Sequence, residues 1–269
     1  MYRGFCITKD VIHQVVSNYY ITPDLKIAKR DILDELNGKA GAITDTIAAI
    51  LKGNSMGVID SEALQKACLP TKNDHYDVFI SHSHNNEAEA KNLAVYLYQR
   101  YDVKCFVDGF VWWSCDEKIL KPIDEIWSWH KTKKGSFSYE KRNFSTSHVH
   151  AMLSMALLEM IDKCECCIFI KPDKEYFISG IGDYTLSPWI YEEICMFNKV
   201  HKELNRNTRC TESFSAIDPK LKISYKLDLS NMPELKANHL TRNFPLEDYA
   251  LATYKKSYKW LDYLYDNVI

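Results

Sequence analysis

No apolar run in this 269-residue chain approaches the roughly 18 residues that a membrane-spanning helix requires, so no membrane partner is expected. The first residues, MYRGFCITKDVIHQVV, lack a charged start followed by an unbroken apolar segment, and a secretory signal is not expected either. A disulfide scaffold is disfavoured: the nine cysteines are odd in number and have no framework spacing. Cys105, Cys164, Cys166 and Cys167 sit inside apolar, strand-like runs, where a free thiol behaves as a small hydrophobe. The expected compartment is therefore the reducing cytoplasm. Large net charge is missing too. At −2, the chain gives no reason to expect nucleic acid or an anionic surface as partner, and Lys131 to Lys134 reads as a solvated loop.

Several chemistries lose their signatures in the same way. There is no Gly-rich phosphate loop and no Gly-x-Ser-x-Gly elbow, which argues against a conventional dehydrogenase or serine hydrolase. His82 and His84 would share one side of an extended segment, but no second pair at zinc spacing accompanies them. His148 and His150 are two apart in an expected helix and do not face each other. No metal and no cofactor are expected. Internal repeats and low-complexity tracts are also missing.

What remains is an ordinary globular composition, 46% hydrophobic and 26% charged, with enough apolar residues for a full core. Residues 1–72 read as a small helical N-terminal segment. Thr22-Pro23 supplies a cap and a first-turn proline, Leu25, Ile32 and Leu36 follow, and Gly38 ends the run. Further helices are expected through Ile43, Ile47, Ile50 and Leu51, and from Asp60 to Pro70. A polar segment, Pro70 to Asp74, separates this part from residues 75–269.

Beyond it the pattern changes. Tyr76 to Ile80 is a short β-rich run ending in Ser81-His82-Ser83-His84-Asn85-Asn86, and Ala90, Leu93, Ala94 and Leu97 then keep helical spacing. Val103 to Asp108 reads as a second strand, Ser147 to Ile161 as a helix, and Cys164 to Ile170 as a third strand. A helix opens at Ser187-Pro188-Trp189. Leu221 to Tyr225 reads as another strand and Leu246 to Leu264 as a final helix. Strands alternating with helices imply an α/β fold with a central parallel sheet flanked by helices.

Tyr76-Asp77-Val78-Phe79-Ile80-Ser81-His82-Ser83 resembles the first strand and following loop of TIR (Toll/interleukin-1 receptor) domains. Val103 to Asp108 is similar to their second strand, which ends in an acidic residue before the BB loop, and Cys164 to Ile170 to their third. Ser187-Pro188-Trp189-Ile190-Tyr191-Glu192-Glu193-Ile194 resembles the Ser-x-Trp-x-x-x-Glu segment of enzymatic TIR domains. The resemblance covers about Tyr76 to Phe197 and extends loosely to Ile269. It implies a flavodoxin-like fold and cleavage of NAD. The stretch from the second strand to Ser147 is longer than a usual BB loop and rich in Trp (Trp112, Trp113, Trp127, Trp129), and the part after Phe197 is also long.

In an open parallel sheet, ligands bind beyond the carboxyl ends of the strands. The segments after the three strands (Ser81 to Asn86, Asp108 onward, Lys171 onward) lie on that rim, and the first turns of the helix holding Glu193 face it. Ser187 is a natural N-cap and Pro188 suits the first helical position. Trp189 and Glu193, four apart, share a helix face, whereas Glu192 points about a quarter-turn away. Breaking the nicotinamide–ribose bond releases a neutral pyridine and builds positive charge on the ribose, as in glycoside hydrolysis. One carboxylate can stabilise that cation. Glu193 is the expected catalytic residue. Phe79, Ser81, Ser83, Asp108, Trp112 and Trp189 are the expected substrate contacts, with an aromatic stacking on nicotinamide or adenine. Ser81 and Ser83 read equally as strand terminators and Asp108 as a turn residue. Lys141 and Arg142 read as a solvated loop or as pyrophosphate contacts.

The resemblance further implies a bacterial anti-phage role of the Thoeris type, homo-oligomerisation, and a downstream effector that senses the nucleotide product. NAD is then substrate rather than cofactor. A second expectation is a TIR adaptor that acts by homotypic assembly, with Glu193 merely structural.

Overall fold

A computed structural model describes residues 3–17, 49–51, 59–61, 63–64, 76–107, 119–132, 135–171, 184–185, 187–200, 225–226, 228–244 and 256–268. Its elements are β1 (Arg3–Ile7), α1 (Lys9–Ser17), β2 (Val78–Ser81), α2 (Glu87–Tyr101), β3 (Cys105–Val107), α3 (Lys121–Trp127) and α4 (Tyr139–Lys163). There follow β4 (Cys166–Ile170), β5 (Tyr184–Thr185), α5 (Pro188–Val200), β6 (Tyr225–Lys226), α6 (Ala237–Leu240) and α7 (Lys256–Asn267).

Four strands form one sheet in the order β1-β4-β2-β3, and every pairing is parallel. Side chains alternate across a strand, so each strand feeds both faces. Phe5, Ile7, Val78, Ile80, Cys166, Ile168 and Ile170 point to one face, where they pack against α1, α2, α6 and α7. Cys6, Phe79, Phe106, Cys167 and Phe169 point to the other, beneath α4 and α5. A sheet covered on both sides needs apolar residues at every position, and CCIFI in β4 and VFI in β2 meet that need. The expected α/β class is thus present.

The N-terminal segment departs from its expected helical reading. Arg3–Ile7 is a strand, and it enters the main sheet by pairing in register with β4 from Arg3↔Cys166 to Ile7↔Ile170. The outer edge of β1 is covered in turn, by Cys6 N donating to Pro233 O and Leu235 N to Cys6 O. Farther along, Leu51 and Leu64 pack with Ile123 of α3 and with Val149 and Leu153 of α4. This segment therefore contributes to the same layers as the remainder. The expected helix from Thr22 to Gly38 lies outside the described residues.

Two other expectations shift. The long stretch before Ser147 contains α3 and the first two turns of α4, which starts at Tyr139. Tyr225, at the end of the expected strand from Leu221, pairs antiparallel with Thr185 in a small second sheet. Its neighbours up to Ser224 lie outside the described residues.

Candidate functional site

After β2 the chain turns into α2 on one face of the sheet. The helix that follows β4 and β5, α5, lies on the opposite face. β2 and β4 are hydrogen-bonded neighbours, and the helices α2 and α5 that come after them thus lie on opposite faces of the sheet. That is the place where an open α/β sheet leaves a crevice for a ligand.

Ser81 is the last residue of β2 and shares the parity of Phe79, so its side chain emerges on the α5 side. On α5, Ser187 caps the helix as expected: its Oγ accepts from Ile190 N at 3.3 Å, and Pro188 opens the first turn. Ile190, Ile194 and Phe197 then form the stripe that lies on the sheet. Glu193 falls within this stripe, three residues after Ile190, and is only 3% exposed. Its Oε2 accepts a hydrogen bond from Ser81 Oγ at 2.5 Å, which joins residues 112 apart in sequence. A carboxylate in an apolar stripe is costly unless hydrogen-bonded, and the strand-end hydroxyl supplies part of that compensation.

Neighbouring groups register the same placement. Burial, followed by Cys166 and Glu193, pushes the Cys167 thiol of β4 well above its ordinary range. Glu192 turns the other way. Burial raises its carboxyl above the usual carboxylate range, while the Ser154 hydroxyl and His150, both on α4, draw it back. Glu193 is therefore the residue directed at the end of β2, and Glu192 belongs to the α4–α5 contact.

The expected substrate contacts separate into three groups. Ser81 meets Glu193. Ser83 sits two residues on in the β2–α2 loop, where its Oγ is buried with no hydrogen-bond partner among the described residues. Phe79 is fully buried and stacks on Phe106, with ring centroids 5.4 Å apart, and so is placed in the core. Trp189 is half-buried; its ring lies 5.4 Å from that of His150 and packs between the sheet-facing cluster and the α3–α4 cluster. Asp108, Trp112 and Trp113 lie outside the described residues. Arg142 is solvent-exposed as one of its two expectations had it, but it lies on α4 rather than in a loop, ion-paired to Asp124 at 2.9 Å and over the Phe137 ring.

Sequence reading missed one residue at this rim. Asn86 precedes α2 and is 1% exposed, and its Nδ2 donates to Lys171 O at 3.4 Å, spanning from the β2 loop to the end of β4. Its position in a polar loop cluster was the available signal, but one shared with five neighbours. Among the described residues, no group of three His, Cys, Asp or Glu side chains is placed to hold a metal ion, and no helix is long and apolar enough to cross a membrane. No protein-family model matches this chain, and comparison with curated proteins and with solved structures finds no match.

Proposed function

We propose that this chain is an NAD-cleaving enzyme of the TIR type, which breaks the nicotinamide–ribose bond with Glu193 as its key carboxylate. The observation that carries the reading is the Ser81–Glu193 hydrogen bond at the carboxyl end of the sheet. The sequence resemblance singles out this carboxylate, and it is the one α5 directs at the switch between β2 and β4. In the reaction water replaces nicotinamide at C1′ of the ribose, and NAD plus water become ADP-ribose, nicotinamide and one proton. In the cyclising variant a nucleophile of the same molecule replaces the water. Glu193 opposes the positive charge that builds on the ribose as neutral nicotinamide departs. Ser81 holds that carboxylate in one orientation, so little reorganisation accompanies bond breaking.

The proposed setting is cytoplasmic. The six cysteines characterised in the structure, Cys6, Cys105, Cys164, Cys166, Cys167 and Cys195, are all free thiols, which suits a reducing compartment. Homo-oligomerisation and a downstream effector that reads the nucleotide product belong to the same proposal, as does an immune-defence role.

A second reading, a non-catalytic adaptor acting by assembly, draws on the exposed apolar side chains Ile126, Trp127, Trp129, Tyr139 and Phe144 around α3 and the start of α4. One experiment separates the two. Concentrated wild-type protein and Glu193→Gln are incubated with NAD, and nicotinamide is quantified by chromatography. Release by the wild type alone, with both proteins equally folded, supports the enzyme. Absence of release from the wild type under crowding, together with signalling that survives Glu193→Gln, supports the adaptor.

A further inference from the structure

We infer that Asn86, together with Ser83, binds a sugar hydroxyl at the rim between β2 and β4; the inference deepens the NAD-cleavage reading and rests on it. Asn86 is the residue before α2, where an asparagine ordinarily turns its Oδ1 onto the first helical amides. Here it makes no such cap. A 3-10 turn, His84–Asn86, precedes the helix and handles the backbone: Asn86 N donates to Ser83 O at 2.8 Å, and Glu87 N donates to His84 O. The side chain is instead spent on a bridge, Nδ2 to Lys171 O. That leaves Oδ1 buried with no donor among the described residues, and Ser83 Oγ is in the same condition. Buried polar atoms are paired in the great majority of cases, and exceptions at a ligand crevice point to the ligand as the missing partner.

The chemistry of the two atoms selects the ligand class. An amide oxygen accepts only, so the group it meets carries a donor; phosphate, which offers acceptors alone, is disfavoured. A hydroxyl suits Oδ1, and Ser83 can donate to or accept from a second hydroxyl next to it. Two hydroxyls on one ring describe a sugar diol, and the NAD-cleavage reading makes that sugar a ribose. Ser81, the partner of Glu193, ends the strand that leads into Ser83 and Asn86, and Asn86 reaches Lys171 just past the end of β4. Glu193 would oppose charge at the anomeric carbon while Asn86 holds the ring by its diol. Asn86 is then a binding residue, and fixing the ring is its contribution.

The test measures NAD binding calorimetrically on Glu193→Gln protein, where cleavage does not interfere, alongside nicotinamide release by the Glu193-containing proteins. Into the Glu193→Gln background are placed Asn86→Ala and Asn86→Asp. The ligands are NAD and an analogue whose nicotinamide-side ribose lacks its 2′ and 3′ hydroxyls. Loss of a buried hydrogen bond to the ligand predicts NAD binding weaker by about tenfold in Asn86→Ala, with the analogue's affinity unchanged by the same substitution. Asn86→Asp keeps an acceptor but loses the donor to Lys171 O, so a ligand role predicts that it retains NAD binding. A purely structural role predicts that it fails as Asn86→Ala does. Equal affinity of Asn86→Ala for NAD, or equal losses for NAD and the analogue, overturns the inference while cleavage by the wild type leaves the enzyme reading standing. Asn86-dependent NAD binding without nicotinamide release from the wild type sinks the cleavage reading and supports the sugar site. Failure of every protein to bind NAD overturns both.

Discussion

Among the described residues Asp77, Asp124 and Glu193 are each at most 3% exposed, and the last two are treated differently. Asp124 of α3, 2% exposed, accepts from Ser128 Oγ and Ser145 Oγ at 2.6 Å each and from Arg142 Nε at 2.9 Å. Its charge is matched by a cation, and all its partners come from α3, α4 and the turn between them. Glu193 is buried to the same degree, but it lies on the sheet-facing stripe of a helix and its Oε2 meets the last residue of a central strand. The first arrangement binds two adjacent helices together. The second places a carboxylate at the end of β2, beside β4, where the helices that follow the two strands lie on opposite faces of the sheet. Burial alone therefore does not set Glu193 apart; its partner and its place in the topology do, and the proposed function rests on them.

The largest effect is expected where that distinction is sharpest. Glu193→Gln preserves volume and an acceptor for Ser81, so its stability to urea should stay within about 1 kcal/mol of the wild type. Nicotinamide release, in contrast, should fall on the order of a thousandfold, the scale of losing an electrostatic group at a developing charge. Asp124→Ala should invert the pattern. It strands two hydroxyls and removes the partner of Arg142, with an expected loss of about 3 kcal/mol by urea unfolding and unchanged release per folded molecule. Equal behaviour of the two variants in both assays would erase the comparison.

A third variant bridges stability and site. Gly4 in β1 lies directly under α5, and a Cβ there would collide with Phe197 Cε1 and Cζ and sit 3.0 Å from Met232 Cε. Gly4→Ala should cost about 1–3 kcal/mol, as overpacking does, and should lower NAD cleavage as well, because α5 carries Glu193 four residues before Phe197. Combining it with Phe197→Leu in a double-mutant cycle should recover part of both losses. A cost to stability with cleavage intact would show that the seat of α5 and the position of Glu193 are independent.

How much of this could be read beforehand depended on range. The run Tyr76 to Ser81, the Ser187 cap and the different directions of Glu192 and Glu193 are all local periodicities, and each was legible. RGFCI was not. Five residues with a polar start read equally well as the onset of a helix, and only pairing with β4 makes them a strand. The Asp124 knot was hidden for a similar reason: Ser128 is one helical turn away, but Ser145 is 21 residues distant and carries no motif. Asn86 stood in plain view among polar neighbours, and its distinction, an amide half used and half unpaired, exists only once β4 is beside it.

The smallest effects concern two further glutamates whose environments oppose each other, and they test whether charge partners rather than burial set the balance. Burial pushes on both. In Glu89 it is the largest single influence, yet its own backbone amide, Lys9 and His13 together outweigh it, and the carboxyl is held below its ordinary range. In Glu192 burial wins over Ser154 and His150, and the carboxyl is held above that range. A depressed acid stabilises the fold above its unfolded value, and this contribution is lost as pH falls through the folded one. A raised acid is tolerated when protonated, and the fold weakens as pH rises through its folded value. Glu89→Gln should therefore destabilise at neutral pH, with the deficit closing below roughly pH 4. Glu192→Gln should stabilise slightly at neutral pH, with the gain vanishing on acidification. Urea unfolding of the two variants from pH 3 to 8 should give difference curves of opposite sign that converge at the acidic end. Curves of the same sign would mean that burial alone governs both carboxylates, and that the cation beside Glu89 contributes nothing.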